Sequence, residues 1–283
     1  MDRAAPAAHQ PPYERAVPLR PLTLGELLDA AMQLVHRNGR TLLMVAAVLA
    51  ALEQLVLYPI RLGEGYHPAS GPPDLFSGYW TVFALGMGLE AMIITALGLV
   101  TGRAVVADVA SVPARQLGRF RPGIIAKTAL LALIAGVPAL LGAFLGPVWL
   151  VGYPLFGLAA VVLYVERQGL FRTLGRASAV AFRGGLRVLG VRVLGYLAWA
   201  LLRFGFFLGV VAGQDFLSLD NADYDWVLIP SFVLANTVAY ACLAALDAAL
   251  LIESRARVEG LDIWLNRAAL RRPLSADLLA ATR

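Results

Sequence analysis

Six long apolar stretches alternate with short polar stretches along the 283-residue chain. Each is close to the roughly 20 residues that an α-helix needs to cross a hydrocarbon core about 30 Å thick. The third and fourth come from one apolar run, residues 124–165, which would be about 63 Å long as a helix and breaks at Gly146-Pro147. The pattern therefore predicts an all-α polytopic membrane protein with six transmembrane helices. The predicted spans are residues 41–60, 79–102, 124–145, 148–165, 188–212 and 226–251.

Shorter stretches beside the spans mix apolar and charged residues at helical spacing, which is typical of helices lying in the membrane interface. In the first stretch, Thr23 and Glu26 have the spacing of a capping box, and Asn38-Gly39 supplies a stop signal. These signals predict a separate amphipathic helix before span 1, which either anchors and orients that span or docks a partner. Interfacial helices are predicted at residues 23–38, 104–119, 168–184 and 258–271.

The stretches that precede each pair of spans resemble one another. AAMQLVHRNGRTLL at residues 30–43 can be laid over RASAVAFRGGLRVL at residues 176–189, and both contain an Arg-X-Gly at the same place. We interpret the pattern as a threefold repeat of interfacial helix and hairpin, although similar demands at each membrane entry would produce the same likeness. Beside a membrane domain of residues 20–265, residues 1–19 are predicted to be a disordered tail and residues 273–283 a second tail.

The composition agrees with a membrane protein, and the arginines predict its orientation. Hydrophobic residues make up 59% of the chain and charged residues only 15%, whereas a soluble domain carries about 25% charged residues. Of the 24 basic residues, all but Lys127 are arginine. They concentrate at both chain ends, between spans 2 and 3 and between spans 4 and 5, while the alternate connections hold only Arg61. By the positive-inside rule, both termini are predicted to be cytoplasmic.

Three stretches of the chain carry a family resemblance, namely RPLTLGELLDAAMQLVHRNGRTLL (20–43), YVERQGLFRTLGRASAVAFRGGLRVLG (164–190) and ALLIESRARVEGLDIWL (249–265). They are similar to a bacterial family of six-span membrane proteins related to the membrane domain of glycerophosphodiester phosphodiesterases. The resemblance implies a stand-alone membrane domain in a bacterial inner membrane. It does not imply phosphodiesterase activity, because that activity belongs to a separate barrel domain whose paired carboxylates and histidines have no counterpart in this sequence.

Ionisable residues inside the spans are the candidate functional residues, because each costs roughly 2.5–3.5 kcal/mol near the membrane midplane. Glu53 lies in span 1, Glu90 in span 2 and Arg203 in span 5. Their similar depths predict a buried ion pair, with Glu53 the closer match in depth to Arg203 and Glu90 within reach of its long side chain. The cluster is interpreted either as structural pairing or as part of a pathway for protons or a substrate.

Two further groups of residues predict contacts between helices. Glu26 and Asp29 share the cytoplasmic side with Arg255 and Arg257, so ion pairs are predicted to join the first and last cytoplasmic helices. Three glycines at four-residue spacing form a groove on span 5. That groove serves either packing within one chain or the seam of a homodimer. The three are Gly205, Gly209 and Gly213.

The sequence contains no recognisable catalytic, cofactor-binding or metal-binding motif. Its one cysteine, Cys242, and its three widely spaced histidines form no metal-ligand pattern, and no phosphate-binding loop occurs. We therefore predict no enzyme activity, no cofactor and no nucleic acid partner. The expected partners are membrane lipids and either a second copy or another membrane protein. The predicted role is a membrane scaffold or envelope-associated protein; the alternative is a carrier for a small solute or lipid that uses Glu53, Glu90 and Arg203.

Overall fold

The chain is helical throughout the part that is described. The computed structural model describes residues 15–63, 77–146, 148–183, 186–216, 221–271 and 274–281. Within these residues the chain forms α-helices, one 3₁₀ helix and turns, and no β-strand. Six helical segments are long and apolar enough to cross a membrane. The predicted all-α, six-span architecture is confirmed, and the chain is a multi-pass membrane protein.

The helices are numbered in chain order. They are α1 (Leu24–Gly63), α2 (Gly78–Val109), α3 (Pro122–Phe144), α4 (Trp149–Phe156), α5 (Ala159–Glu166), α6 (Leu170–Arg183), α7 (Arg187–Phe216), α8 (Asn221–Glu259), α9 (Leu261–Ala269) and α10 (Ala276–Ala281). The 3₁₀ helix, Ala114–Leu117, follows α2. The fourth span consists of α4 and α5 together. Because α6, α9 and α10 are shorter than a bilayer requires, they lie beside the spans.

Both described chain ends lie at one end of the bundle, which we call the terminal face. Arg257, near the end of α8, donates a hydrogen bond of 3.0 Å to the carbonyl of Leu22, just before α1. At the same face, α6 is joined to the end of α8 by an ion pair between Arg176 and Glu259. α10, which lies in the predicted tail of residues 273–283, packs on α2 and α5.

The first span and the predicted interfacial helix before it are one continuous helix, α1, so the prediction of a separate helix over residues 23–38 is wrong. The stop predicted at Asn38-Gly39 requires a left-handed backbone at the glycine, and Gly39 does not adopt one. Asn38 instead donates its side-chain amide to the Leu34 carbonyl at 3.1 Å, one turn earlier in the same helix. The polar stretch is therefore the first part of the span helix itself.

The other predicted interfacial helices divide into two kinds. The predicted helix at residues 104–119 is split between the end of α2 and the 3₁₀ helix, whereas those at 168–184 and 258–271 correspond to the separate helices α6 and α9. Gly260, at φ +64°, separates α9 from α8 because a left-handed residue ends a helix. Since the helix boundaries differ among the three proposed repeat units, they do not support a threefold repeat.

Residues 15–19 pack against the bundle, which corrects the prediction of a disordered tail at these positions; residues 1–14 lie outside the described residues. Ala16 and Val17 are buried, and their backbone N–H groups donate to the two carboxylate oxygens of Asp108 at 2.9 and 3.0 Å. The segment is ordered because its apolar side chains enter the core while a buried carboxylate accepts its backbone N–H groups.

The centre of the bundle is formed by α2 and α8. α2 packs on α1, α3, α5 and α8, and α8 also packs on α1 and α7. α8 reaches the centre because it is rich in alanine, whose small side chain lets neighbouring helices approach closely. α7 lies at the edge and packs mainly on α8, so most of its apolar surface faces outward. The fully buried alanines of α8 are Ala239, Ala241, Ala244, Ala245, Ala248 and Ala249.

Glycines at four-residue spacing pack closely in α2 and not in α7. A Cβ added at Gly98 would lie 3.1 Å from Ala160 and from Val161 on α5, and one at Gly102 would lie 3.1 Å from Tyr164. The predicted groove on α7 meets no neighbour: beyond the helix's own backbone, no described atom lies within 4 Å of a Cβ at its three glycines, Gly205, Gly209 and Gly213. Among the described residues, this groove therefore takes no part in packing within one chain, which was one of the two uses predicted for it, because α7 turns this face outward.

We expect Gly98→Leu to destabilise the protein by about 1–3 kcal/mol, because the larger side chain forces α2 away from α5. Gly205→Leu is the matched control on α7 and is expected to leave stability unchanged, since its side chain would point into open space. Thermal unfolding in a mild detergent compares the two variants. Equal unfolding temperatures for both would contradict the close packing of α2 on α5.

Candidate functional site

Two of the three intramembrane charges predicted to cluster form an ion pair. Arg203 of α7 and Glu90 of α2 approach to 2.7 Å between Nη1 and Oε1. Glu90 is buried, and the Arg203 side chain keeps an exposed fraction of 16%. The long aliphatic stem of arginine allows a helix at the edge of the bundle to place its charge against the central helix. The partner of Arg203 is thus Glu90, although Glu53 is the closer match in depth from sequence.

Glu53 of α1 joins the same cluster through neutral side chains. Its Oε2 accepts hydrogen bonds from the Tyr240 hydroxyl at 2.8 Å and from the Asn236 side-chain amide at 3.2 Å. The carbonyl oxygen of the same amide accepts a bond of 3.3 Å from Arg203. Asn236 of α8 therefore links Glu53 to the arginine, so hydrogen bonds and the ion pair of Arg203 with Glu90 bring all three predicted residues into one group.

Two tyrosines complete this group. The Tyr196 hydroxyl donates to Glu90 Oε2 at 2.8 Å, and the Arg203 guanidinium lies 5.3 Å from the Tyr196 ring centroid and 6.0 Å from that of Tyr240. Cation–π contacts of this kind stabilise a guanidinium that has left water. We call the whole set the Glu90–Arg203 cluster; its members are Glu53, Glu90, Tyr196, Arg203, Asn236 and Tyr240.

A second buried pair, between Arg192 of α7 and Asp247 of α8, was not predicted. Its two hydrogen bonds are parallel, from Arg192 Nε to Oδ1 at 2.6 Å and from Nη2 to Oδ2 at 3.0 Å. The side chains have exposed fractions of 1% and 3%, so both charges have left solvent completely. The remaining guanidinium nitrogen, Nη1, donates to the Tyr153 carbonyl at 3.1 Å. A bidentate geometry with the third nitrogen also satisfied is what a buried arginine requires.

The turn between α4 and α5 makes room for this arginine. Gly157 lies in that turn, and a Cβ at this position would collide with the Arg192 guanidinium. Sequence reasoning missed the pair because Arg192 and Asp247 both lie in the half of their spans nearer the terminal face, where charged groups ordinarily reach interfacial water. The sequence signal that could have identified the pair is two opposite charges at similar depth on consecutive spans. The glycine in the fourth span that faces them is visible only in the structure.

Aromatic rings connect the two pairs. Arg192 lies 4.7 Å from the centroid of the Tyr153 ring, and that ring lies 5.0 Å from the ring of Tyr196, over which Arg203 is placed. Trp149 packs against both tyrosines, at 5.3 and 4.4 Å between ring centroids. Arg192 and Arg203 are eleven residues apart on one helix, which separates them by about 16 Å along its axis, and the aromatic rings fill the space between them.

The terminal face carries a third group of paired charges. Glu166, at the end of α5, contacts Arg176 at 3.0 Å and Arg255 at 3.5 Å. Glu259, at the end of α8, is shared by Arg176, Arg183 and Arg255. Hydrogen bonding to Glu259 raises the pKa of the Arg176 guanidinium above its ordinary value. These pairs hold α5, α6 and the end of α8 together.

The ion pairs predicted between Glu26 or Asp29 and Arg255 or Arg257 are not the ones that the described residues form. Glu26 accepts from the Thr23 backbone N–H at 2.8 Å, as its predicted capping box requires, and its other oxygen pairs with Arg20 at 2.6 Å. The prediction fails because the capping box occupies Glu26, while Arg255 is fully buried beside carboxylates of α5 and α8. Asp29 is exposed on α1.

The first and last parts of the chain are nevertheless joined, through a backbone carbonyl. Arg187 and Arg257 both donate to the Leu22 carbonyl, at 2.9 and 3.0 Å. Both also pair with the buried carboxylate of Glu253, at 3.4 and 2.7 Å. The start of α1 is therefore held against α7 and α8 without any contribution from its own acidic residues.

These features define a class of protein: an all-α, multi-pass membrane protein whose intramembrane charges are paired across helices. Among the described residues, no group of three or more histidine, cysteine, aspartate or glutamate side chains is placed to hold a metal ion. No protein-family model, curated protein or solved structure matches the chain. The family resemblance of its three sequence stretches therefore stays a prediction.

Proposed function

We propose that this protein is a non-catalytic membrane scaffold. The observation that carries the proposal is that the intramembrane carboxylates Glu90 and Asp247 are each bound by an arginine from another helix. A cavity of about 100 Å³ lies between α1, α7 and α8, and no member of the Glu90–Arg203 cluster lines it. Ion pairs between helices fix the helices relative to one another, and a scaffold needs such a fixed arrangement.

The proposal includes an orientation. The terminal face is turned to the cytoplasm of a bacterial cell, and the spans lie in the inner membrane. Support comes from the concentration of arginine at the chain ends and in the connections of that face, whereas the opposite connections hold only Arg61. The resemblance of the three sequence stretches supports the choice of the bacterial inner membrane.

The working surface of the scaffold is the set of helices on the terminal face. α6 turns Phe171 and Phe182 outward, and α9 turns Ile263 outward, with Leu270 exposed just after its end. These apolar side chains alternate with exposed arginines, which is the pattern of a helix that lies on an anionic membrane surface. α6 and α9 thereby present the cytoplasmic side to lipid and to a partner membrane protein.

A carrier for a small solute or lipid is the second candidate, and one observation favours it. The Glu90–Arg203 cluster contains two carboxyl groups, Glu53 and Glu90, and one guanidinium. One carboxyl therefore has no cation of its own, as in sites that bind a proton or a cation during transport. The scaffold is preferred because Glu53 is held in place by hydrogen bonds from the Tyr240 hydroxyl and the Asn236 amide, both to its Oε2.

Complementation in cells that lack the native gene separates the two candidates, with envelope integrity as the readout. If the cluster is structural, replacing both Glu90 and Arg203 with leucine leaves function intact, because both members of the ion pair are removed together and Glu53 keeps its hydrogen bonds from Tyr240 and Asn236. Phe171→Glu on α6 is expected to abolish function at unchanged protein level. Its matched control is Phe216→Glu at the opposite side of the membrane, since the two phenylalanines have similar exposed fractions of 85% and 88%.

The carrier function is favoured if the Glu90 and Arg203 double variant accumulates normally and unfolds at the wild-type temperature but fails to restore envelope integrity. If Phe171→Glu restores envelope integrity as well as Phe216→Glu does, the proposal that α6 forms part of the working surface is contradicted. Protein level is measured for every variant by quantitative immunoblotting, so that loss of function is not confused with loss of protein.

A further inference from the structure

A groove opens on the side of the bundle between α1, α7 and α8. Cys242 and Leu246 of α8 line its 100 Å³ cavity, whose lining is almost entirely apolar. The groove is open outward, since its walls include Leu28, Met32 and Leu194, with exposed fractions of 41%, 51% and 49%. An apolar cavity of this size, about three times the volume of a water molecule in the liquid, disfavours water and accepts hydrocarbon.

Two arginines meet at the terminal-face end of this groove. The carbonyl of Leu22, which accepts from both Arg187 and Arg257, lies two residues before Leu24, and Leu24 lines the groove. The carboxylate that these arginines share is that of Glu253. Two guanidinium groups against one carboxylate leave a net charge of +1 at this end of the groove.

Two acidic residues of α1 lie near this end of the groove, and neither forms an ion pair with Arg187 or Arg257 among the described residues. Asp29 is exposed and lies about 100° around the helix from Leu28, which lines the groove. Glu26, in the first turn of α1, is paired with Arg20 at 2.6 Å. Both arginines can be reached from outside, because their side chains have exposed fractions of 31% for Arg187 and 38% for Arg257. An anionic oxygen placed here would gain a charge-assisted hydrogen bond and would balance the second guanidinium.

We propose that this groove binds one anionic phospholipid. An acyl chain lies along α1 from Leu24 to Met32, a rise of about 12 Å, and the phosphate lies at Arg187 and Arg257. The guanidinium groups lie at one end of the apolar wall, as the phosphate of a membrane lipid lies at one end of its acyl chain. This site goes beyond the scaffold function and does not depend on it.

Native mass spectrometry of the full chain in detergent tests the site. The protein is purified, exchanged against phosphatidylglycerol or phosphatidylcholine, and the population carrying one bound lipid is measured. We expect retention of one phosphatidylglycerol and about fivefold weaker retention of phosphatidylcholine. Both lipids offer a phosphate, but the choline cation cancels the charge that would balance the second arginine, and one such charge is worth about 1 kcal/mol. Ala198→Trp, which fills the groove, is expected to abolish retention of either lipid.

Two controls make the outcome decisive. Ala212→Trp adds the same side chain to another exposed position of α7, and it is expected to retain lipid as the wild type does. Arg257→Gln is expected to remove the preference for phosphatidylglycerol, whereas Arg183→Gln, on the same face, is expected to keep it. Equal retention of the two lipids by the wild type, or equal retention by Ala198→Trp and Ala212→Trp, would overturn the proposal.

Discussion

Replacing Arg192 with leucine is expected to cost about 3–5 kcal/mol of folding free energy, because it leaves the Asp247 carboxylate buried without its cation. A loss of this size is a large fraction of the roughly 5–15 kcal/mol that holds a typical protein folded. The variant should therefore accumulate poorly in the membrane, and the fraction that is purified should unfold well below the wild-type temperature. Expression level and thermal unfolding in a mild detergent measure both effects.

The double replacement of Arg192 and Asp247 with leucine is the control for this prediction. Removing both charges restores an apolar interior, so most of the lost stability should return. Arg183→Leu serves as a second control, since Arg183 is an exposed arginine on the terminal face and its loss is expected to change stability by less than about 1 kcal/mol. If the single Arg192 variant were as stable as Arg183→Leu, the buried pair would not stabilise the bundle.

Replacing Arg203 with leucine is expected to cost about 3 kcal/mol, at the lower end of the range for breaking a buried pair. The cost is smaller than for Arg192 because the Tyr196 hydroxyl still donates to Glu90, and because the Arg203 side chain is partly exposed. Thermal unfolding is again the measurement, and the same experiment on a Glu90→Leu, Arg203→Leu double variant should recover most of the loss.

Glu53→Gln provides the contrast within the same cluster. A glutamine carbonyl can still accept from Tyr240 and Asn236, so the change is expected to cost less than about 1 kcal/mol. We therefore expect the unfolding temperature of Arg203→Leu to be well below that of Glu53→Gln. The reverse ranking would mean that Glu53, rather than Glu90, is the main partner of the arginine.

The six spans were predictable because each is an apolar run of about 20 residues with at most two charges, which is the length and composition that crossing the bilayer requires. The helix boundaries were less so. The Asn38-Gly39 signal predicted a stop that α1 does not make, since the side chain of Asn38 bonds within the helix and Leu42 is buried one turn later. Local signals of this kind are weaker than the packing of a whole helix against its neighbours.

The candidate site was predictable in its members and not in its pairing. Charge inside a span is costly, so Glu53, Glu90 and Arg203 stand out in the sequence. Depth along a span does not determine which helices are neighbours, and the lateral order of α1, α2 and α7 decided that Arg203 pairs with Glu90. The same limit applies to Arg192, whose partner and whose matching space at Gly157 become visible only in the folded bundle.

If the intramembrane charges form a closed, structural set, their carboxyl groups should be inaccessible to water-soluble reagents, and chemical labelling measures this accessibility. The protein in lipid nanodiscs is treated with a water-soluble carbodiimide and an amine, and modified carboxyls are located by mass spectrometry. Asp277, whose side chain has an exposed fraction of 79%, is the internal positive control. We predict modification of Asp277 and none of Glu53, Glu90 or Asp247. Modification of Glu90 at a rate close to that of Asp277 would show a water-filled path to the cluster, and the intramembrane charges would then not form a closed structural set.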